Sequence, residues 1–178
     1  FQERRILAKM VPQRLTYKTS FSEKDLEILK KALRDIGYDE KDYTAEQLKV
    51  LATNKERNLA IIKQLRLLHI ENKPTIVFAC SVNHAKLLSA MLTLEEIKNS
   101  LVLGEMNEVD RKYAIEGFKD RKSEVNIIIN YGVLTTGFDS KNIRCVFITR
   151  PTKSIVLYSQ MLGRGLRGPL MGGNEECT

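Results

Sequence analysis

The sequence predicts an α/β fold, a parallel sheet covered by helices and preceded by a helical arm, and three observations predict it. Four short apolar runs, Thr75 to Cys80, Leu101 to Leu103, Val125 to Asn130 and Cys145 to Thr149, are too short for helices, and several have the Val and Ile content of buried strands. Amphipathic stretches over Asn83 to Leu92, Asn107 to Lys119 and Ser154 to Leu162 alternate with them, the order that builds a sheet with helical crossovers. Ahead of Lys73-Pro74 the apolar residues recur at helical spacing instead. The expected division is therefore a helical arm over 1–72 and an α/β domain over 73–178.

Within the arm, Leu26, Leu29, Leu33 and Ile36 mark one helix, with Ser20 and Glu23 as its capping box and Gly37 placed to end it. A second helical stretch opens at Thr44, with Gln47 as its capping partner, and continues through Leu48, Leu51, Ile61, Leu65 and Leu68. At the other end, Gly168-Pro169-Leu170-Met171-Gly172-Gly173 should feed a strand for which the chain leaves no room. Both ends are expected to be cut points in a longer polypeptide, the α/β domain being truncated at its C-terminal end.

A chain of 178 residues with 43% hydrophobic and 29% charged content supplies one sizeable core and a small appendage. No apolar stretch approaches the ~20 residues that cross a bilayer, and Phe1-Gln2-Glu3-Arg4-Arg5 lacks a secretory apolar run, so no membrane partner is expected. Cys80, Cys145 and Cys177 are odd in number and far apart, which argues against a disulfide framework or a zinc site and for a reducing compartment. The net charge of +7 suits phosphate contacts and is equally ordinary for a solvated surface, so charge does not decide the partner.

Two patterns that imitate nucleotide sites fail on context. Asp39-Glu40-Lys41-Asp42 resembles a magnesium-holding acidic box but follows a helix end rather than a buried strand, so it reads as a solvated turn. Gly163, Gly165 and Gly168 satisfy G-x-G-x-x-G letter by letter. That fingerprint needs a strand leading in and a helix leading out, whereas a helical pattern precedes Gly163 and Pro169 follows Gly168. No glycine precedes a lysine, so the usual phosphate loop is absent from the sequence.

The chemistry-bearing segments lie after the third and fourth strands. Arg164 and Arg167, three residues apart, can turn both guanidinium groups toward one anion, and Gly163 and Gly165 clear space beside Arg164. Alone, the pair reads more readily as a basic helix end favoured by the helix dipole. Val133-Leu134-Thr135-Thr136-Gly137-Phe138-Asp139 follows a strand, where open α/β sheets bind ligands; alone, it is a polar loop with a capping threonine.

Taken together and in this order, the loop at Gly137 and the run Gln160-x-x-Gly163-Arg164-x-x-Arg167 resemble the fifth and sixth motifs of superfamily 2 helicases. Ile76 to Ser81 with Val82-Asn83-His84-Ala85 resembles the fourth motif, and Gly104 to Phe118 with Arg111 resembles the stretch after it. Arg150-Pro151-Thr152-Lys153-Ser154 and Gly165-Leu166-Arg167-Gly168-Pro169 are similar to the motor subunits of restriction enzymes. Gln160 stands where RNA helicases usually carry His.

The resemblance implies a three-layer RecA-like domain, the second of two that close on ATP. Arg164 and Arg167 would be fingers to the γ-phosphate, Gln160 a polar link beside it, and Gly137, Asp139 and Gly163 would border the nucleotide, Asp139 bonding ribose or a finger. Thr135, Thr136, Ser81 and Asn83 would contact nucleic-acid phosphates. The chain's own residues are expected to hold no metal; Mg2+ and the phosphate-loop lysine would come from the N-terminal RecA-like domain of the same polypeptide. The isolated chain should then be inactive as an ATPase. The resemblance further implies double-stranded DNA as substrate, restriction–modification subunits as partners and a bacterial cytoplasmic location. His84 is expected at the surface or as a cap, Arg111 in an ion pair, and Phe78, Phe138 and Tyr158 in the core. The alternative is a non-catalytic α/β module that docks nucleic acid or protein through the basic arm.

Overall fold

A computed structural model describes residues 5–34, 42–120, 122–134, 138 and 140–178. The first part of the chain contains β1 (Lys9–Met10), an irregular stretch, then α1 (Glu23–Arg34), α2 (Ala45–Thr53) and α3 (Lys55–Ile70). Ser22, not Ser20, caps α1: its Oγ accepts from the Asp25 amide at 3.2 Å and donates to the Asp25 carboxylate at 2.7 Å. Gly37, expected to end this helix, lies outside the described residues. The Thr44–Gln47 capping box forms as expected. The helix expected from Thr44 to Leu68 is split at Asn54, which ends α2 in an extended conformation and caps α3 by accepting from the Arg57 amide at 2.8 Å. A short polar side chain offers the backbone that alternative to continuing the helix.

The second part runs β2 (Thr75–Phe78), α4 (Val82–Leu94), β3 (Ser100–Leu103), α5 (Glu108–Lys119), β4 (Ile127–Tyr131), β5 (Cys145–Ile148) and α6 (Ile155–Gly163), then a 3-10 turn at Pro169–Met171 and β6 (Glu176–Cys177). β2 to β5 form a wholly parallel sheet in the order β3-β4-β2-β5. Alternate strand residues serve opposite faces. Val77, Ile127 and Ile129 pack with Ile61, Leu65, Leu88 and Leu92 of α3 and α4. Ile76, Val102 and Ile128 pack with Phe118 and Met161 of α5 and α6. The expected three-layer α/β architecture is thus present.

Two expectations change. Residues 5–22 of the presumed helical arm contain no helix, and α3, with Ile61, Ile62, Leu65 and Leu68 all buried, is one of the layers on the sheet. Its apolar residues repeat on one face, and the sheet is what covers that face. A strand after Gly173 does form: β6 runs parallel to β1, pairing Lys9 with Glu176 and Met10 with Cys177. Thr178 then joins the main sheet, its amide donating to Arg144 O at 2.9 Å and its carbonyl accepting from Val146 N at 2.8 Å. The 3-10 turn, closed by Gly172 in the left-handed region at φ 75°, reverses the chain tightly enough to leave room for it.

Candidate functional site at the sheet rim

The loops that leave the C-terminal ends of β2, β4 and β5 share one rim. Below the loop after β4 lies Asn130, wholly buried. Its Nδ2 donates to Val77 O at 3.0 Å and its Oδ1 accepts from Leu134 N at 3.3 Å, so one amide ties the strand to the first turn of the loop. Phe138 pins the far side of the loop in the core, 6.4 Å from the Phe118 ring and 5.5 Å from Lys119 Nζ. Thr135, Thr136, Gly137 and Asp139 lie outside the described residues. Asn130 went unnoticed in the sequence; its one signal is a polar residue ending an Ile-rich strand.

Ser154 caps α6 by accepting from Leu157 N at 3.2 Å. The helix turns Leu157 and Met161 toward the sheet and leaves Ile155 and Val156 79% and 67% exposed. Tyr158, expected in the core, is 47% exposed because those two residues take the inward positions. Gln160, Arg164 and Arg167 are half-buried and Gly163 is exposed. Arg164 Nη1 donates to Phe138 O at 2.7 Å, joining the end of α6 to the loop after β4. A helix, not a strand, precedes Gly163, which removes the dinucleotide reading.

The glycines of this segment differ in what they permit. A Cβ on Gly163 would meet nothing within 4 Å, whereas one on Gly165 would overlap Cys177 Sγ and Val146 Cγ2. The chain beyond Arg164 is fastened by the N-terminal strand: Ala8 N donates to Leu166 O at 3.0 Å, Gly168 N to Ile6 O at 2.9 Å and Leu170 N to Arg5 O at 3.1 Å.

At the end of β2, Ser81 Oγ caps α4 by accepting from His84 N at 3.1 Å, which leaves the hydroxyl hydrogen to donate, and Asn83 is exposed. His84 is neither a surface residue nor a cap. It is 1% exposed, its Nδ1 accepts from Cys80 N at 3.1 Å, and its Nε2 therefore carries the proton and donates to Asn58 Oδ1 at 3.1 Å. Burial and then the neighbouring Arg57 charge lower its pKa to about 4, so it is neutral near pH 7. Arg57 is itself buried and donates to Leu51 O at 3.3 Å and to Thr149 O. Arg111 anchors α5 through carbonyls, not an ion pair, donating to Gly104 O and Met106 O at 3.0 Å each. Phe78 is in the core as expected.

Asp42 also departs from expectation. Its carboxylate accepts from Lys153 N and Tyr43 N at 2.9 Å each, Thr152 Oγ1 at 3.1 Å and Arg150 Nη2 at 3.2 Å, so it is a long-range anchor rather than a solvated turn residue. Partial burial works to raise its pKa, but these bonds and the Arg150 charge outweigh it and hold the carboxyl below its ordinary range. Among the described residues no three His, Cys, Asp or Glu side chains gather in one place. The cysteines are free and buried; burial pushes Cys145 up to about 11 and Cys177 up to about 12, which makes them inert. No described helix is long and apolar enough to cross a membrane.

A parallel RecA-like sheet with these segments along its rim is the architecture of a helicase motor domain. Residues 56–168, from the first turn of α3 to Gly168, match the helicase conserved C-terminal domain, and the chain belongs to that family. It is 33% identical over 139 residues to a protein of Saccharomyces cerevisiae named as the ATP-dependent helicase IRC3, covering 76% of this chain and 20% of that protein. It is 38% identical over 134 residues to a protein of Schizosaccharomyces pombe named as a mitochondrial ATP-dependent helicase, irc3, covering 74% of this chain and 21% of that one. The chain thus spans about a fifth of the length of these relatives. Its fold is like a fragment assigned to the HsdR subunit of a type I restriction enzyme from Vibrio vulnificus YJ016. The TM-score is 0.60 with 22% identity, over 75% of this chain and 28% of that one. The relatives overturn the bacterial cytoplasmic location: both are yeast proteins, and one is named as mitochondrial.

Proposed function

We propose that this chain is the second motor domain of an ATP-driven DNA helicase or translocase, and that it supplies Arg164 and Arg167 as fingers to a nucleotide held mainly by an N-terminal RecA-like domain. The observation that carries the reading is the end of α6. Arg164 is drawn to the loop after β4, Gly163 faces open space, and Ile155 and Val156 leave an apolar helix face uncovered beside them. A surface of this kind suits close approach by a second domain with a ligand between the two.

Gln160 and Arg164, four residues apart, share one side of α6. When the domains close, the two arginines meet the γ-phosphate oxygens as negative charge redistributes during bond breaking, and Gln160 reports that event to the helix. Asp139 accepts from ribose or from a finger, and Gly137 serves the same nucleotide site. Ser81, Asn83, Thr135 and Thr136 grip nucleic-acid phosphates, contacts that set register without reading sequence. Gln160 in place of His, and the restriction-motor character of the segments around it, favour double-stranded DNA. Mg2+ belongs to the partner domain in this reading, and no step here depends on it.

In the intact protein, Arg164→Ala or Arg167→Ala should lower DNA-stimulated phosphate release by about 10³-fold or more while ATP affinity changes little. The 178-residue chain alone should release no phosphate. Retained hydrolysis in both variants would turn the assignment to a non-catalytic binding module, and stronger stimulation by RNA than by duplex DNA would overturn the substrate.

A further inference from the structure

Four hydrogen bonds reach the Asp42 carboxylate, and three come from one place, the end of β5 and its linker to α6: Arg150 Nη2, Thr152 Oγ1 and Lys153 N. The relay continues inward. Thr152 Oγ1 also accepts from Ser154 N at 3.1 Å, and Ser154 Oγ accepts from Leu157 N in the first turn of α6. On its other side Arg150 lies 5.7 Å from the centre of the Tyr131 ring, at the last residue of β4, where the loop toward Phe138 begins. Lys153 Nζ lies 5.7 Å from the ring of Tyr43, next to Asp42. One carboxylate, two residues before the Thr44 cap of α2, is therefore tied to the start of α6 and, through Arg150, to the start of the loop after β4.

Asp42 and Arg150 are 26% and 21% exposed in their side chains, so the pair is largely shielded. A partly buried, multiply bonded carboxylate fixes geometry more than an exposed pair does. Within the linker Pro151 has no amide hydrogen to bond, and Met161 is the one fully buried residue of α6.

We propose that Asp42 is a positioning residue that latches the β5–α6 linker to the helical unit ahead of the sheet and so sets where Gln160, Gly163 and Arg164 stand against the nucleotide. The proposal rests on the finger assignment above. It makes α1 and α2 part of the motor's control rather than a passive appendage: whatever shifts α2 shifts the start of α6. Displacement of an aligned group by about an ångström costs up to ~10²-fold in rate.

The test is Asp42→Asn in the intact protein, with Arg150→Gln, the double variant and Thr152→Val beside it. The expected result is a fall in DNA-stimulated kcat of about tenfold for Asp42→Asn, a smaller fall for Thr152→Val, and a KM for ATP within about twofold of the starting protein. The double variant should be no worse than the poorer single variant, because both remove one interaction. Unchanged kcat, losses that multiply in the double variant, or a KM that rises as kcat falls would overturn the latch. Amide hydrogen exchange on the 178-residue chain separates this from failure of the finger assignment. Asp42→Asn should speed exchange at Lys153 and Leu157 by about tenfold or more whatever Arg164 does, and unchanged exchange there overturns the latch. Retained hydrolysis in Arg164→Ala overturns only the finger assignment.

Discussion

Two corners of the same sheet rim are built in opposite ways. At the end of β2, Ser81, His84, Asn58 and Arg57 form a polar cluster that closes on itself, with each described bond ending on a neighbour inside the fold. At the end of α6, the helix shows apolar residues to the outside, Gly163 opens onto empty space, and the chain beyond is held in place by residues 5–8. The closed corner gives a rigid base. The open one keeps its groups near the surface, where something else can meet them. Rigidity at one corner and access at the other are what a domain needs if it is to grip one ligand and close on another.

That contrast can be broken or sharpened experimentally. The largest effect on stability is expected at the closed corner in acid. His84 takes up a proton near 6.5 when unfolded but only near 4 when folded, so the unfolded chain binds the extra proton between those values. Its contribution to stability is complete above about pH 6.5 and falls by about 3 kcal/mol as pH drops to 4. Melting curves across that window should show the loss in the starting protein and a flatter profile in His84→Ala; equal slopes would mean that His84 is not buried and neutral in the folded chain.

A smaller effect is expected where the open corner meets the sheet. Gly165→Ala should cost about 2 kcal/mol, since the methyl group must displace Cys177 and Val146, and an unchanged melting temperature would show that β6 yields easily. Smallest is Gly163→Ala, two residues away. With nothing within 4 Å of the added methyl, stability should stay level or rise by a few tenths of a kcal/mol. In the intact protein the same change should nonetheless slow hydrolysis. Full activity would mean that no ligand or domain comes close at that point.

Much of the sheet was legible because its strands and helices differ in period. Runs such as Ile127 to Ile129 cannot be amphipathic helices, and Asn107 to Lys119 cannot be a buried strand. The Thr44 cap was legible for the same reason, since donor and acceptor lie three residues apart. The candidate site could be read from the sequence as segments, but its supports could not. Asn130, Arg57 and Asp42 act on carbonyls and amides whose distance along the chain has no local signature; Asp42 meets partners 108 to 111 residues away. His84 was misjudged because a histidine near a helix start is usually wet, and only the packing of α3 over α4 buries this one.

The sequence by itself determined the α/β class, the order of the main elements and the two rim segments that mark a helicase C-terminal domain, because each depends on residues close together in the chain. Only the tertiary structure decided that α3 is a layer of the sheet, that residues 5–8 fasten the segment after Arg164, and that Asp42 holds the linker into α6. Those outcomes depend on surfaces that meet across separations along the chain that carry no local signal, more than a hundred residues for the contacts of residues 5–8 and of Asp42. Burial and the need to satisfy every buried polar group select them, and neither leaves a periodic trace in sequence.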